Sequence, residues 1–329
     1  MAKFIVKRIF YIALVLFMVS FGLFMLFRTM PGDPVDMFLP PEVVSSMEPA
    51  QVAIQRAQII EEMALDRPHV IQYVIWIRNV FRGDFGISMD SRMPVLEHIR
   101  QPMTNTIVMN ILNIIIVFSV SIPIGIYCAI KRGKAFDNFF LVTSMIGFSI
   151  PGFLFALILI FIFSIWLGVL PMFGMASTFP PPVRTVAWFV DRLRHMILPL
   201  TAIALVGIAN MIRFVRSAML DALSMDCIRT ARAKGLSEKT VIYVHAFRNA
   251  LIPIITVFGG FFITVFAGTM VIEGAFQWQG MGQIMLVALN MRDIMVLMAM
   301  NVFYAFIAFV VIMILDLIYV LVDPRIRYS

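Results

Sequence analysis

The chain has 329 residues, of which 61% are hydrophobic and 14% charged, and a mean hydropathy of +0.95. That balance excludes a water-soluble globular domain and leaves room for several membrane spans at about 20 apolar residues each. The net charge of +7 comes from basic residues placed beside apolar runs, which indicates membrane topology instead of nucleic-acid binding, and the two cysteines, Cys128 and Cys227, suggest neither a disulfide framework nor a zinc site.

Six apolar runs succeed one another, at about 10–27, 107–130, 139–169, 197–212, 251–272 and 294–322. The first comes after Lys3, Lys7 and Arg8 and has no small-residue cleavage site, so it reads as a retained span with a cytoplasmic N-terminus. An even number of spans returns the C-terminus to the same side. The distribution of Lys and Arg agrees: the inner segments carry Lys131, Arg132 and Lys134, a basic loop at about 216–250, and Arg325 with Arg327. The short outer loops carry Arg184, Arg192 and Arg194 in one and only Arg292 in the other.

The predicted organisation is therefore an all-α polytopic bundle with six transmembrane helices. Residues 1–29 form the N-terminus and first span, 30–102 a helical outer-face insertion, 103–322 the transmembrane core with its cytoplasmic loop, and 323–329 a cytoplasmic tail. The insertion, with ten acidic and seven basic residues between Arg28 and Met103, is too long for the charge rule to count. Within it, EPAQVAIQRAQIIEEMAL places Pro49 at a first helical position, and PHVIQYVIWIRNVF sets Val70, Val74, Ile77 and Phe81 at helical spacing, which predicts two amphipathic helices. Trp76 suits either the headgroup level or packing on the outer face of the bundle. RGDFGISMDSRMPV is turn-rich and reads as a loop.

Within the spans, Pro123 and Pro151–Gly152 predict kinks or hinges, with a local kink the simpler reading. Asn110 and Asn113 are costly against lipid and are expected to face protein or a water-filled path, which makes them candidates for a substrate pathway. Asp316, near the inner end of the last run, is expected to pair with a basic residue. The 26 methionines are ordinary apolar filler, and no metal site is expected.

One stretch departs from the general greasiness: LDALSMDCIRTARAKGLSEKTVIYVHAFRNALIP, from Leu220 to Pro253. Its residues predict a helix from about Arg216 to Lys234, a left-handed stop at Gly235, and a second short helix capped by Ser237. Leu236 and Val241 stand at the positions of a hydrophobic staple, and Pro253 is expected to close the second helix. Six basic and three acidic residues lie between Arg216 and Ala250, and Ala231, Ala233 and Gly235 are small enough to allow close approach of another surface. The physical reading is a docking knob. His245 has no carboxylate or cysteine at motif spacing and reads as a packing or surface residue.

This stretch resembles the cytoplasmic coupling motif of permease subunits in ATP-binding-cassette importers. Arg229 stands where the family usually has Glu, and Thr230 and Ala231 take the two alanine positions ahead of Gly235. RTARAKGLS and then HAFRNALIP are similar to the dipeptide/oligopeptide and nickel branch, as are FRTMPGDP, GDFGISM, AIKRGKAFD, RSAML, GMGQI and DPRIRY, in that order along the chain. The resemblance extends to the first-permease type of subunit. Gln279 in FQWQGMG replaces the Pro usual in relatives.

The resemblance implies a permease of the bacterial or archaeal plasma membrane that pairs with a second, homologous permease, two cytoplasmic ATPases and an extracytoplasmic peptide-binding protein. Arg229, Thr230, Ala231, Ala233, Lys234, Gly235, Leu236 and Ser237 would form the ATPase-coupling corner. ATP and Mg would be bound by the partner ATPases, with no cofactor in this chain, where no G-x-x-x-x-G-K-[ST] phosphate loop occurs. Dipeptides or oligopeptides are the expected cargo, with a nickel chelate or another small solute the alternative within the branch. An intramembrane hydrolase lacks its paired acid or Ser/His set, and a passive channel has no need of a capped docking corner.

Overall fold

The computed structural model describes residues 2–29, 34–39, 44–62 and 64–322. The DPRIRY segment with Arg325 and Arg327, the rest of the tail 323–329, and residues 30–33 of FRTMPGDP lie outside the described residues. Among those described, the regular structure is helical, with one isolated bridge between Ile87 and Pro94.

Five helices among the described residues are long and apolar enough to cross a membrane: α1 (Ala2–Arg28), α5 (Val95–Ile130), α8 (Val186–Ser224), α10 (Glu238–Ala267) and α13 (Ile294–Val322). Between them lie α2 (Pro34–Phe38), α3 (Pro49–Glu62), α4 (His69–Val80), α6 (Ala135–Ser149), α7 (Gly152–Trp166), α9 (Asp226–Ala233), α11 (Met270–Ala275) and α12 (Met281–Met291). The predicted third span is the pair α6 and α7, bent by 98°. Six spans are reached when this pair is counted as one.

The bend at Pro151 is a corner, not the local kink expected. Crowding by the proline ring drives the preceding residue out of the helical region, and here Ile150 (ψ 123°) and Pro151 (ψ 137°) both leave it. Pro123, in contrast, stays inside α5. Helices also outrun their apolar runs: α8 begins at Val186, capped by the Thr185 hydroxyl, which accepts from Trp188 N at 3.2 Å. Hydropathy marks the lipid-compatible part of a helix, whereas caps mark its ends.

The chain divides into two compact units, 1–102 with 284–309, and 103–283 with 310–329. In the first, Phe24, Tyr73, Trp76, Met89, Ile294 and Met298 form the core. Pro49 opens α3 as predicted. The face expected from Val70, Val74, Ile77 and Phe81 is largely turned outward: Val70, Val74 and Phe81 are exposed, Ile77 packs against the core, and the buried side carries Gln72, Tyr73 and Trp76. Tyr73 makes edge contacts with Phe17, Phe21 and Phe24, and its hydroxyl shares a 2.8 Å hydrogen bond with Ser20. Aromatic packing with a satisfied polar tip selects this face over the aliphatic one. Trp76 packs in the same core, in contact with Phe24, which fits the packing reading.

In the second unit, α5, α8 and α10 enclose a core in which Phe118 meets Phe258 and Phe261 edge-on. Helices in lipid gain association from close van der Waals contact instead of water exclusion, which favours small residues at crossings. Gly207 is such a residue: a Cβ there would lie 2.8 Å from the Val117 side chain.

Candidate functional site

The polar corner begins where α8 ends. The predicted continuous helix to Lys234 is instead broken at Met225, which is extended (φ −65°, ψ 147°), and α9 starts afresh at Asp226. The break lets α9 turn one side inward. Ile228 and Ala231, three residues apart, join Val241, Ile242 and Ala246 in the core of the unit, while Arg229, Thr230, Arg232 and Ala233 are exposed. Ala231, only 6% exposed, therefore serves close packing within this chain, not the approach of another surface that the sequence suggested.

Gly235 ends the turn with φ +77°, a conformation that disfavours any side chain, and its N–H donates to Arg232 O at 2.9 Å. Ser237 caps α10, its hydroxyl accepting from Thr240 N at 3.3 Å. Arg232 and Glu238 pair across the corner at 2.9 Å, but both are exposed and such a pair contributes only about 0.2–1 kcal/mol. Lys234, Gly235, Leu236 and Ser237 all face solvent, Leu236 with 41% of its surface. Val241 is fully buried, so the two staple positions have unlike surroundings.

No second short helix closes at Pro253. From Glu238 the chain stays helical to Ala267, with a π-helical stretch at Val241–Ala246 and Pro253 inside the helix. Membrane helices tolerate an internal proline because local adjustments and neighbouring groups satisfy the carbonyl it frees. The corner is thus the direct end of a long helix. His245 is exposed on the π-helical stretch.

Behind the corner is a buried ion pair that residue-by-residue reading missed. Asp137, at the start of α6, is fully buried and accepts from Arg216 Nε at 2.5 Å and Nη2 at 2.8 Å, and from Gly133 N at 2.8 Å. Both carboxylate oxygens are engaged in a forked charge-assisted pair. It ties AIKRGKAFD to RSAML, 79 residues apart, eight residues ahead of the end of α8 at Ser224. A further motif is held alike: Asp293, just before α13, accepts from Ser88 Oγ at 2.6 Å and Met89 N at 2.7 Å, both from GDFGISM, and from Val296 N at 3.2 Å.

The candidate pathway residues lie inside the second unit. Asn110 is buried, and its amide donates to Thr264 O at 3.0 Å and Val265 O at 3.1 Å, joining α5 to the last turn of α10. Asn113 is also buried, and its Oδ1 has no hydrogen-bond partner. Among the described residues no group of three or more His, Cys, Asp or Glu could hold a metal.

Glu273, on α11, is a functional candidate that sequence reading passed over. It is fully buried and accepts from Thr269 N at 3.2 Å, Thr106 Oγ1 at 3.3 Å and Gln283 N at 3.1 Å. GMGQI wraps it: a Cβ on Gly280 would lie 2.4 Å from Glu273 Oε2 and 2.5 Å from Thr106 Oγ1, which explains the glycine. Burial raises the Glu273 pKa above its ordinary 4.5, outweighing the lowering by the backbone N–H donors. The folded chain then holds this proton to higher pH than the unfolded chain. Its contribution to stability is complete below pH 4.5 and is lost as pH rises through the higher folded value. Thermal unfolding of the detergent-solubilised protein should therefore show a falling midpoint over that window, and Glu273→Gln should flatten it. An unchanged slope in the variant would exclude Glu273 as its source.

The profile of the binding-protein-dependent transport system inner membrane component family matches residues 121–328, and that of the N-terminal part of such membrane components matches residues 1–112. The chain belongs to this family. The oligopeptide transport system permease protein AppB of Bacillus subtilis (strain 168) is 36% identical over 329 residues, and the dipeptide transport system permease protein DppB of Escherichia coli (strain K12) is 35% identical over 345 residues. Each alignment covers 100% of both chains. A chain of the MetNI methionine ABC transporter, solved in inward-facing conformations, superposes with a TM-score of 0.51 at 17% identity, covering 68% of this chain and 96% of its own. That likeness bears on the fold alone.

Proposed function

We propose that this family member is the permease subunit of an ATP-driven importer of short peptides. The observation that carries the reading is its full-length similarity to permeases of oligopeptide and dipeptide transport systems. A second, homologous permease completes the pathway, an extracytoplasmic binding protein delivers the peptide, and two cytoplasmic ATPases bind ATP and Mg. Nickel-chelate transport has no observation in its favour. The chain resides in the plasma membrane with both termini in the cytoplasm, in keeping with its basic inner segments.

In this reading the exposed corner, Arg229, Thr230, Ala233, Lys234, Gly235, Leu236 and Ser237, seats in the ATPase, and Ala231 sets the corner's position from behind. The corner is the turn between α9 and α10, and the Asp137–Arg216 pair stiffens its root. Displacement of the corner is then passed directly to a membrane helix. ATP biases the permease only as far as the ATPase closed on it binds the two permease states unequally. Asn113, with its unpartnered buried oxygen, is the better of the two amides as a pathway residue in another conformation, because Asn110 already bonds two carbonyls.

The test is uptake into proteoliposomes holding this chain and its co-purifying subunits, with a labelled dipeptide, a labelled pentapeptide and chelated nickel compared. Peptide uptake that stops without ATP is expected. Nickel uptake alone, or peptide uptake indifferent to ATP, would overturn the reading.

A further inference from the structure

The first unit contains a cavity of about 560 Å³ that the transport reading does not use. Its volume is that of an ordinary small-ligand pocket, roughly 300–1,000 Å³. The cavity begins where α1 stops: Arg28, the last residue of the apolar stretch Phe10–Arg28, lines it.

Two arginines line its wall, beside two buried side chains whose hydrogen-bonding atoms the described residues leave unfilled. Gln72 is 3% exposed; its Nε2 donates to Arg67 O at 2.8 Å and Leu65 O at 3.4 Å, which fixes the amide, and its Oε1 receives no donor. Trp76 is 8% exposed, and its indole N–H has no acceptor. Buried polar atoms are seldom left so, but neither of these has surface open to the cavity, so neither marks what it binds. The Arg28 guanidinium lies 5.4 Å over the Phe24 ring and forms no ion pair among the described residues. Arg92 lies 5.6 Å over Phe38 and donates to the Phe38 carbonyl, again without a carboxylate.

The wall thus presents two cations, with Asp84 the one carboxylate among the described residues that line it. An anion fits the donors. Asp84 suits a hydroxyl or ammonium on the same ligand. Aromatic walls and a position at the end of a membrane-spanning stretch favour an amphiphile over a free ion. We propose that this cavity binds the phosphate-bearing headgroup of a phospholipid at the membrane boundary. The chemistry it shares with inorganic phosphate is the oxyanion; the apolar wall distinguishes them. The inference rests on the membrane reading and is independent of the cargo.

The experiment is native mass spectrometry of the delipidated, detergent-purified complex titrated with phosphatidylglycerol, phosphatidylethanolamine, inorganic phosphate or the dipeptide used for uptake. Retention of either phospholipid is expected, falling about tenfold when Arg28→Gln and Arg92→Gln are combined. Arg92→Gln alone, at an exposed position, should give a smaller loss. Arg78→Gln, on α4 but not in the cavity wall, should give none. Undiminished lipid retention in the double variant would overturn the proposal. So would binding of inorganic phosphate as tight as that of lipid, or displacement of lipid by the dipeptide.

Discussion

Asp137→Ala should destabilise the protein by about 3–5 kcal/mol, because it strands a guanidinium whose forked partner is gone. Asp137 has no exposed surface and Arg216 keeps 19% of its side chain exposed, so water replaces little of what is lost. Asp137→Asn keeps an acceptor for Gly133 N and for one Arg216 nitrogen but not the charge, and should cost less. Removing both charges distinguishes the pair from its parts. Breaking a buried pair from one side is costly, while replacing both members with well-packed apolar residues is often nearly neutral. Asp137→Leu with Arg216→Met should accordingly be more stable than Asp137→Ala alone. Thermal unfolding in detergent of the wild type, Asp137→Leu, Arg216→Met and the double variant measures the coupling as a double-mutant cycle. Additive losses would mean that the two residues act separately and that the pair does not stiffen the root of the corner.

The same pair shows where sequence reading stops. AIKRGKAFD and RSAML were legible as fragments shared with a family, yet nothing in either says that Asp137 finds Arg216 across 79 positions. A lone aspartate in a polar turn reads as a solvated charge until the fold buries it. Asp293 with Ser88 and Glu273 with Thr106 escaped notice for the same reason, each pairing across more than 160 positions.

Local devices were more legible. Gly235 and Ser237 act through their own backbone and the next three residues, so the stop and the cap appear where the residue types put them. The break at Met225 had no such mark: neither glycine nor proline is there, and the helix ends so that Ile228 and Ala231 can reach the core. Hydropathy located the spans but could not tell that residues 139–169 turn a corner, because an apolar run carries no direction. On α4, aliphatic spacing marked a side of which only Ile77 reaches the core, and the aromatic contacts of Tyr73 and Trp76 decide which side is buried.

Two alanines, two positions apart in RTARAKG, should respond in opposite ways to the same substitution. Ala231 lies in the core beside Ile228 and Val241, and tryptophan there must displace packed neighbours at about 1–3 kcal/mol or more. Ala233 is exposed on α9, and tryptophan there should change stability by no more than about 0.5 kcal/mol. If the corner seats in an ATPase, Ala233→Trp should nevertheless abolish its association and with it peptide uptake, leaving membrane insertion and unfolding temperature unchanged. Ala231→Trp should lower the unfolding temperature first, and lose the ATPase only because the corner has moved. Co-purification of the ATPases, read beside thermal unfolding of each variant, separates the two. Full ATPase association by a stable Ala233→Trp protein would place the docking surface elsewhere. Loss of association by both, with only Ala231→Trp destabilised, would define α9 as a two-sided element, one side holding the corner to the permease and the other offered to its motor.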